Sequence, residues 1–224
     1  HHVAGSIDPI RDIETIMTEL VLADMESVQK SLDRRAKDAK KGDKTAKAEH
    51  AVLSKVLPHL NDGKPALTLE LNPEEAAILK PFFLLTAKPT IFAANVKESE
   101  LVDAANNPHV AKVKNYAQEH HACETVVISA QIESDLVDLA PDEASDFLSE
   151  MGVSESGVGS MIRSTYHLLG LRTYFTAGEV EVRAWTIHEG DRAPQAAGVI
   201  HTDFERGFIK AETVTYKDLV ECGS

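Results

Sequence analysis

The chain has no Gly-x-x-x-x-Gly-Lys-Ser/Thr segment, the loop whose backbone N–H groups cradle phosphates, so nothing in its 224 residues is built to grip a triphosphate. Its only cysteines, Cys123 and Cys222, lie far apart and form no Cys-x-x-Cys pair. That spacing excludes a disulfide framework and a thiolate zinc site, and it suits a reducing cytoplasm. No apolar run approaches the roughly 18 residues of a membrane helix, and no charged-then-apolar signal pattern opens the chain, so no membrane partner is expected. Basic charge is scarce: 23 Lys and Arg stand against 36 Asp and Glu, a net charge of −13. A general nucleic-acid surface is therefore not expected and DNA is not a candidate partner, although a local basic patch remains open. His1-His2 are not read as metal ligands. Internal repeats and low-complexity tracts are absent as well.

What is present is enough apolar residue, 43%, to bury a sizeable core in one large domain or two small ones. Ser6-Ile7-Asp8-Pro9 offers a capping side chain followed by proline, a strong helix start. Ile10, Ile13, Met17, Leu20, Val21, Val28 and Leu32 then recur at the spacing of one helix face, up to about Lys40. At 1.5 Å per residue such a helix is on the order of 45 Å long, too long for an ordinary compact domain, so it is expected to project. After Lys41-Gly42-Asp43 a second helix carries Val52, Leu53, Val56, Leu57 and Leu60, and Asn61-Asp62-Gly63 ends it. The expectation is an antiparallel helical hairpin over 9–62.

Arg34, Arg35, Lys37, Lys40, Lys41, Lys44 and Lys47 concentrate at its tip. Two readings stand side by side. Lys-rich helix surface is commonly just solvated, whereas clustered cations on an acidic protein gain affinity for RNA by releasing its counterions.

Beyond the hairpin, Asn72-Pro73-Glu74-Glu75 reads as another capped helix start. Two short apolar runs follow, Thr90-Ile91-Phe92-Ala93-Ala94-Asn95 and Thr125-Val126-Val127-Ile128. Each is expected to be a buried strand, with a helix opened by Asn107-Pro108 between them. Strand, helix, strand is the parallel crossover of an α/β sheet, whose strand ends open on a ligand crevice. Helical stretches are expected around Ile132–Leu139, Asp142–Met151 and Gly157–Leu169. From Leu171 the character changes: Glu179–Ile187 alternates with period two, 188–191 turns, 194–199 is helical, and 208–214 reads as a strand. Tyr216-Lys217-Asp218-Leu219-Val220 promises further structure.

The first strand end reads Asn95-Val96-Lys97-Glu98 and the second Ser129-Ala130-Gln131. In GTP-binding folds an Asn-Lys-x-Asp loop uses Asn to buttress the site, Lys to cover the base and Asp to accept two guanine N–H donors. Here Val96 replaces the Lys and Glu98 is a methylene longer than Asp, so strict guanine reading should be lost. On pattern alone, an Asn at a strand end is as readily a turn former. Other candidates are weaker. His120-His121 beside Cys123 lacks a partner at ligand spacing, and Gly152, Gly157 and Gly159 suit helix boundaries better than a phosphate loop. Trp185 is more often core or interface than a base platform. His201 and Asp203 can pair, but Asp203 more simply makes a turn.

Asn95-Val96-Lys97-Glu98, Asp8-Pro9-Ile10-Arg11-Asp12-Ile13-Glu14, Lys41-Gly42-Asp43, the block from Thr173 to Thr186 and the block from Ala193 to Ile209 closely resemble the YchF/Obg-like ATPase family. The similarity spans essentially the whole chain. It implies an α/β fold: part of a P-loop NTPase sheet with an inserted antiparallel helical hairpin, then a small α+β, ubiquitin-like TGS domain. By that resemblance 1–170 is the C-terminal half of the nucleotide-binding domain and 171–224 an incomplete TGS-like domain. The phosphate loop, the Mg²⁺ ligands and the catalytic segments of the family precede the point where this chain begins, so no catalytic residue is assigned here. The resemblance further implies that Asn95, Val96 and Glu98 line a base pocket, with Ser129 and Ala130 as the second base-side loop. ATP or GTP is the implied nucleotide and the ribosome, through its RNA or protein, the implied partner.

Two functions follow as expectations. One is a cytoplasmic, ribosome-associated ATPase (and possibly GTPase) when full length, of which this chain carries the base-reading half and is inactive alone. The other is a non-catalytic ribosome- or RNA-binding module with a vestigial nucleotide site.

Overall fold

A computed structural model describes residues 7–120 and 123–222, in two compact units divided between Ser164 and Thr165. His1-His2, His121 and the Cys123 side chain, all raised above, lie outside that description.

In the first unit Asp8 caps α1 (Pro9–Lys40) by accepting the Arg11 N–H at 3.4 Å. Its 32 residues span about 48 Å. The chain reverses through Gly42, whose φ of +96° lies in the left-handed region where a side chain is strained. Asp43 then accepts the Ala46 N–H at 3.0 Å and starts α2 (Lys44–Asn61). Val21, Val28 and Leu32 close on Val52, Leu53, Val56 and Leu60, each no more than 8% exposed. Burying side chains of this size stabilises by about 1.5–3 kcal/mol apiece, which is why the hairpin forms as read.

One buried position in that stripe is not apolar. Asp24 is 2% exposed, and its carboxylate accepts the Leu85 N–H, the Thr86 N–H and the Thr86 hydroxyl, all at 2.7 Å. The same Thr86 hydroxyl oxygen accepts the Ala66 N–H at 2.9 Å. A single side chain of α1 thus satisfies the 3-10 turn at Leu85–Ala87 and, through Thr86, reaches the one at Ala66–Thr68. Next along, α3 (Pro73–Leu79) carries a reciprocal capping box of Asn72 and Glu75. Lys55 of α2 pairs with Glu75, and that hydrogen bond holds the Glu75 carboxyl below its ordinary pKa.

β1 (Thr90–Asn95) and β2 (Cys123–Ile128) then pair in parallel, in register from Thr90 opposite Cys123 to Asn95 opposite Ile128. The crossover holds α4 (Glu98–Leu101) and α5 (Pro108–Glu119), and α5 lays Val110, Val113 and Ala117 into the core against the strands. After β2 come α6 (Ala130–Leu136), α7 (Pro141–Glu150) and α8 (Gly157–Leu168). The expectation of a buried first strand is corrected: Ala93 and Asn95 are exposed and the rest of β1 is half-buried. Among the described residues β1 has a strand neighbour on one side only, so its apolar composition is not matched by cover.

The second unit is built on β3 (Leu171–Ala177) and β4 (Val182–His188), an antiparallel pair with Tyr174 opposite Trp185. The alternating run was expected to start at Glu179, but the Gly178 N–H donates to the Glu181 carbonyl and closes 178–181 as a turn. β3 itself, which the alternation of its partner did not announce, supplies the ladder. The Trp185 indole N–H donates to Thr176 Oγ1 at 2.8 Å, and the Arg183 guanidinium lies 4.3 Å from the ring centroid. Helices α9 (Ala193–Ile200), α10 (Thr202–Arg206) and α11 (Tyr216–Cys222) complete the unit. The strand expected at 208–214 is not formed; Ile209 is 91% and Val214 63% exposed. Period-two patterning makes a segment fit for a ladder, but only a partner makes it a strand, and no described residue pairs with this one.

Two outcomes follow from these contacts. Asp24→Ala leaves at least two backbone N–H donors unsatisfied and should destabilise the chain by about 3 kcal/mol, with Thr86→Val costing about 1–2 kcal/mol, in urea unfolding; a loss under 1 kcal/mol for Asp24→Ala would show the bonds to be replaceable by water. The Tyr174 hydroxyl donates to the Ala196 carbonyl at 2.9 Å, and burial pushes its pKa up. A raised folded pKa means this stabilisation is complete below the ordinary tyrosine range and is lost as pH rises through the folded value. Tyr174→Phe should flatten that alkaline loss in pH-resolved thermal unfolding.

Candidate functional site

The parallel register brings Asn95 and Ile128 level at the carboxyl ends of their strands. One residue further, the Val96 N–H donates to the Ile128 carbonyl at 2.9 Å, so the ladder holds the loop at its first step. The Asn95 side chain then reaches across: its Oδ1 accepts the Ala130 N–H at 3.0 Å. Two loops that are 35 residues apart become one platform. This bond also occupies the Ala130 N–H, which is therefore a buttress in this structure and not a free donor for a base edge.

Ser129 is 1% exposed and its Oγ has no hydrogen-bond partner among the described residues, while its carbonyl accepts the Glu133 N–H at 3.0 Å. Glu98 is exposed at the first position of α4 and makes no ion pair or hydrogen bond among the described residues. Its carboxylate is thus available to accept N–H donors from a ligand. Beside the loop lies a cavity of about 480 Å³, with Asn95, Val96, Lys97, Glu100, Asp12 and His109 in its walls. Glu98, Ser129 and Ala130 do not line it. The predicted base residues therefore share one sheet edge but not one enclosed pocket.

At the hairpin tip Arg35 Nε lies 2.6 Å from Glu49 Oε2, and Lys41 Nζ 3.3 Å from Asp38 Oδ1. Arg34, Lys37, Lys40, Lys44 and Lys47 are exposed and form no ion pair among the described residues. Lys37 and Lys40 also lie in the last turn of α1, where cations complement the helix dipole, so part of the cluster has a structural use.

The weaker candidates resolve into local structure. His120 stacks on Tyr116 with ring centroids 3.9 Å apart. Gly152 sits just past α7 with φ +73°, and Gly157 opens α8. His201 Nδ1 accepts the Asp203 N–H at 3.2 Å at the start of α10, with the Asp203 carboxylate 3.6 Å away. No group of three His, Cys, Asp or Glu suited to a metal occurs among the described residues.

Two residues that matter escaped the sequence. Asp24 occupies an apolar stripe as the polar member of the 21, 24, 28 spacing, which is a readable signal. Glu133 has none: its Oε1 accepts the Gly157 N–H, 24 residues on, at 2.6 Å.

Residues 171–224 match the family model YchF-GTPase_C, described as "Protein of unknown function (DUF933)". Across 99% of its length the chain is 50% identical to the ribosome-binding ATPase YchF of Bacillus subtilis and covers 60% of that protein. It is 40% identical over its whole length to Obg-like ATPase 1 of Oryza sativa subsp. indica, covering 56% of it. The solved structure of the Schizosaccharomyces pombe YchF GTPase superposes with a TM-score of 0.77 at 34% identity, over 99% of this chain and 60% of that one. Along essentially its whole length the chain is thus similar to proteins of the YchF/Obg-like ATPase family. It spans about 60% of the length of the YchF relatives it matches. The helical hairpin and the small β3–β4 sheet are both present, in a mixed α/β architecture.

Asn95→Ala should release the Ala130 amide, raising its hydrogen-exchange rate about two- to tenfold, the worth of one net hydrogen bond. Amide exchange by NMR reads this directly, and an unchanged rate would show that the two loops are held by packing alone.

Proposed function

We propose that this chain carries the base-reading and partner-binding parts of a ribosome-associated ATPase, able to accept GTP, that works in the cytoplasm. The observation that carries the reading is the Asn95–Ala130 hydrogen bond, with an unpaired Glu98 carboxylate three residues after Asn95, in a chain half identical to a protein named a ribosome-binding ATPase. Asn95 fixes the platform, Val96 offers a small apolar contact in place of a covering Lys, and Glu98 accepts from the base. Ser129 and Ala130 support it from the second strand. With a longer and exposed carboxylate, rejection of a base lacking guanine's paired donors is weak, because no acceptor is left buried and unpaired.

The residues present fit the base end of ATP or GTP and no more of it. When bound, the nucleotide would supply the phosphoryl group, its charge neutralised by Mg²⁺ and a phosphate loop; no residue of this chain is assigned to either. We assign 1–170 to the nucleotide-binding domain and 171–224 to a TGS-like domain. The exposed cations Arg34, Lys37, Lys40, Lys44 and Lys47, with Arg35 and Lys41, are assigned to the ribosome contact, where phosphates would replace solvent counterions.

The full-length protein should bind ATP at least as tightly as GTP in equilibrium titration, and a strong GTP preference would sink the base-loop assignment. Replacing Val96 with Lys and Glu98 with Asp together should move the preference toward GTP by about tenfold. For the hairpin, Lys40→Glu, Lys41→Glu and Lys44→Glu combined should reduce ribosome co-sedimentation at low salt, with the difference fading as salt rises. A pellet that does not change returns the patch to solvated surface.

A further inference from the structure

We propose that Glu133 is a positioning residue for the base site: it holds the Ser129–Ala130 loop through the N-terminus of α8 and never touches the nucleotide. The inference rests on the reading of 95–98 and 129–130 as base loops.

Asn95 and Ala130 hold the loop from the β1 side, leaving its underside to be supported. That support comes from Glu133, which bonds in two directions. Its own N–H donates to the Ser129 carbonyl, and its carboxylate Oε1 accepts the Gly157 N–H at 2.6 Å. Gly157 in turn presses on Ile128, the residue just before Ser129 and the register partner of Asn95. A Cβ built at Gly157 would lie 2.7 Å from Ile128 Cγ2 and 2.9 Å from Ile128 Cβ, so only glycine allows this approach. The contacts close a ring from Asn95 to Ala130, through Glu133 to Gly157, and back by way of Ile128 and Val96.

A cap needed only for helix stability explains this arrangement less well. α8 already has a local cap, since Ser156 Oγ accepts the Gly159 N–H at 3.0 Å and the Ser156 carbonyl accepts the Ser160 N–H. Glu133 adds a long-range bond from the helix that begins at the base loop, and the glycine at its far end is required by contact with the strand that ends there. Removing the carboxylate leaves the Gly157 N–H without its acceptor and frees the start of α8 to lift from Ile128. Ser129 then loses its floor, and a loop that reads a base tolerates little displacement.

The test uses the full-length protein with four variants, Glu133→Ala, Glu133→Gln, Gly157→Ala and Asn95→Ala, titrated with ATP and with inorganic triphosphate. Glu133→Ala should weaken ATP about two- to tenfold while leaving inorganic triphosphate binding unchanged, because only the base grip is altered. It should also speed exchange at the Ala130 amide. Glu133→Gln keeps a carbonyl acceptor and should restore most of the affinity, whereas Gly157→Ala should reproduce the loss. If Asn95→Ala weakens ATP but Glu133→Ala and Gly157→Ala change neither ATP affinity nor Ala130 exchange, the positioning role is wrong and the base-loop reading stands. If Asn95→Ala leaves ATP affinity intact, the base-loop reading fails and takes this inference with it. Equal losses for ATP and triphosphate would mean a general structural role and overturn the proposal. Should Glu133→Ala not fold, Gly157→Ala decides between these outcomes at the same contact.

Discussion

The buried Asp24 carboxylate is the constraint on which the first unit depends. It sits on the apolar face of α1, and its three bonds at 2.7 Å all go to Leu85 and Thr86, more than 60 residues away in sequence. A carboxylate in a core is costly, and a well-packed apolar residue would often be as stable there. What an apolar residue would not supply is position. Thr86 lies four residues before β1, so the bond that seats Thr86 on α1 also sets where β1 begins. Six residues of strand later that placement reaches Asn95. The root of the hairpin and the strand end at Asn95 are thus registered by one side chain, and the Thr86 hydroxyl passes the restraint on to Ala66.

The hairpin above that root separates two kinds of residue cleanly. Along the seam, Val and Leu pack with almost no exposure, and their contribution is generic burial. Toward the tip, among the described residues, Arg35 and Lys41 are paired and the other basic side chains are exposed. Surface pairs of this type contribute little to folding, so beyond the dipole contact of Lys37 and Lys40 the cations are not held there by the needs of the fold. On a chain of net charge −13 they form a local field opposite in sign to the whole. For an anionic partner such a local field favours approach at the tip, as the proposed ribosome contact requires.

How much of this was legible in the residues depended on whether the cause was local. Asp8-Pro9, Asn72-Pro73 and Asn107-Pro108 each announced a helix start because a cap bonds within three residues of itself. The hairpin seam was legible because helical periodicity is a property of consecutive residues. Asp24 fell on that period, yet its partners could not be named, since they belong to turns with no pattern of their own. The 208–214 segment shows the opposite failure: it reads locally as a strand, but strand formation depends on a partner. The Asn95–Ala130 bond and the Glu133–Gly157 bond bridge 35 and 24 residues, and only the fold brings them together.

That distinction bears on what the proposed base site would require. Affinity for a nucleotide comes chiefly from its phosphates, whose charge rewards a preorganised cradle; a base offers a flat apolar face and a few donors and acceptors. A base platform therefore adds little binding energy, and its value lies in staying still. The structure spends its long-range contacts accordingly. Asn95 ties one loop to the other, Ile128 is clamped between Val96 and Gly157, and Ser129 is buried to 1% exposure beneath them. Only Glu98, exposed and unpaired among the described residues, is left able to move toward a ligand. On the proposed reading, a held platform with one unpaired carboxylate would tolerate more than one base, because the acceptor can adjust to donors the platform does not specify. Tolerance of ATP beside GTP would then follow from which parts of the platform are held and which single part is not.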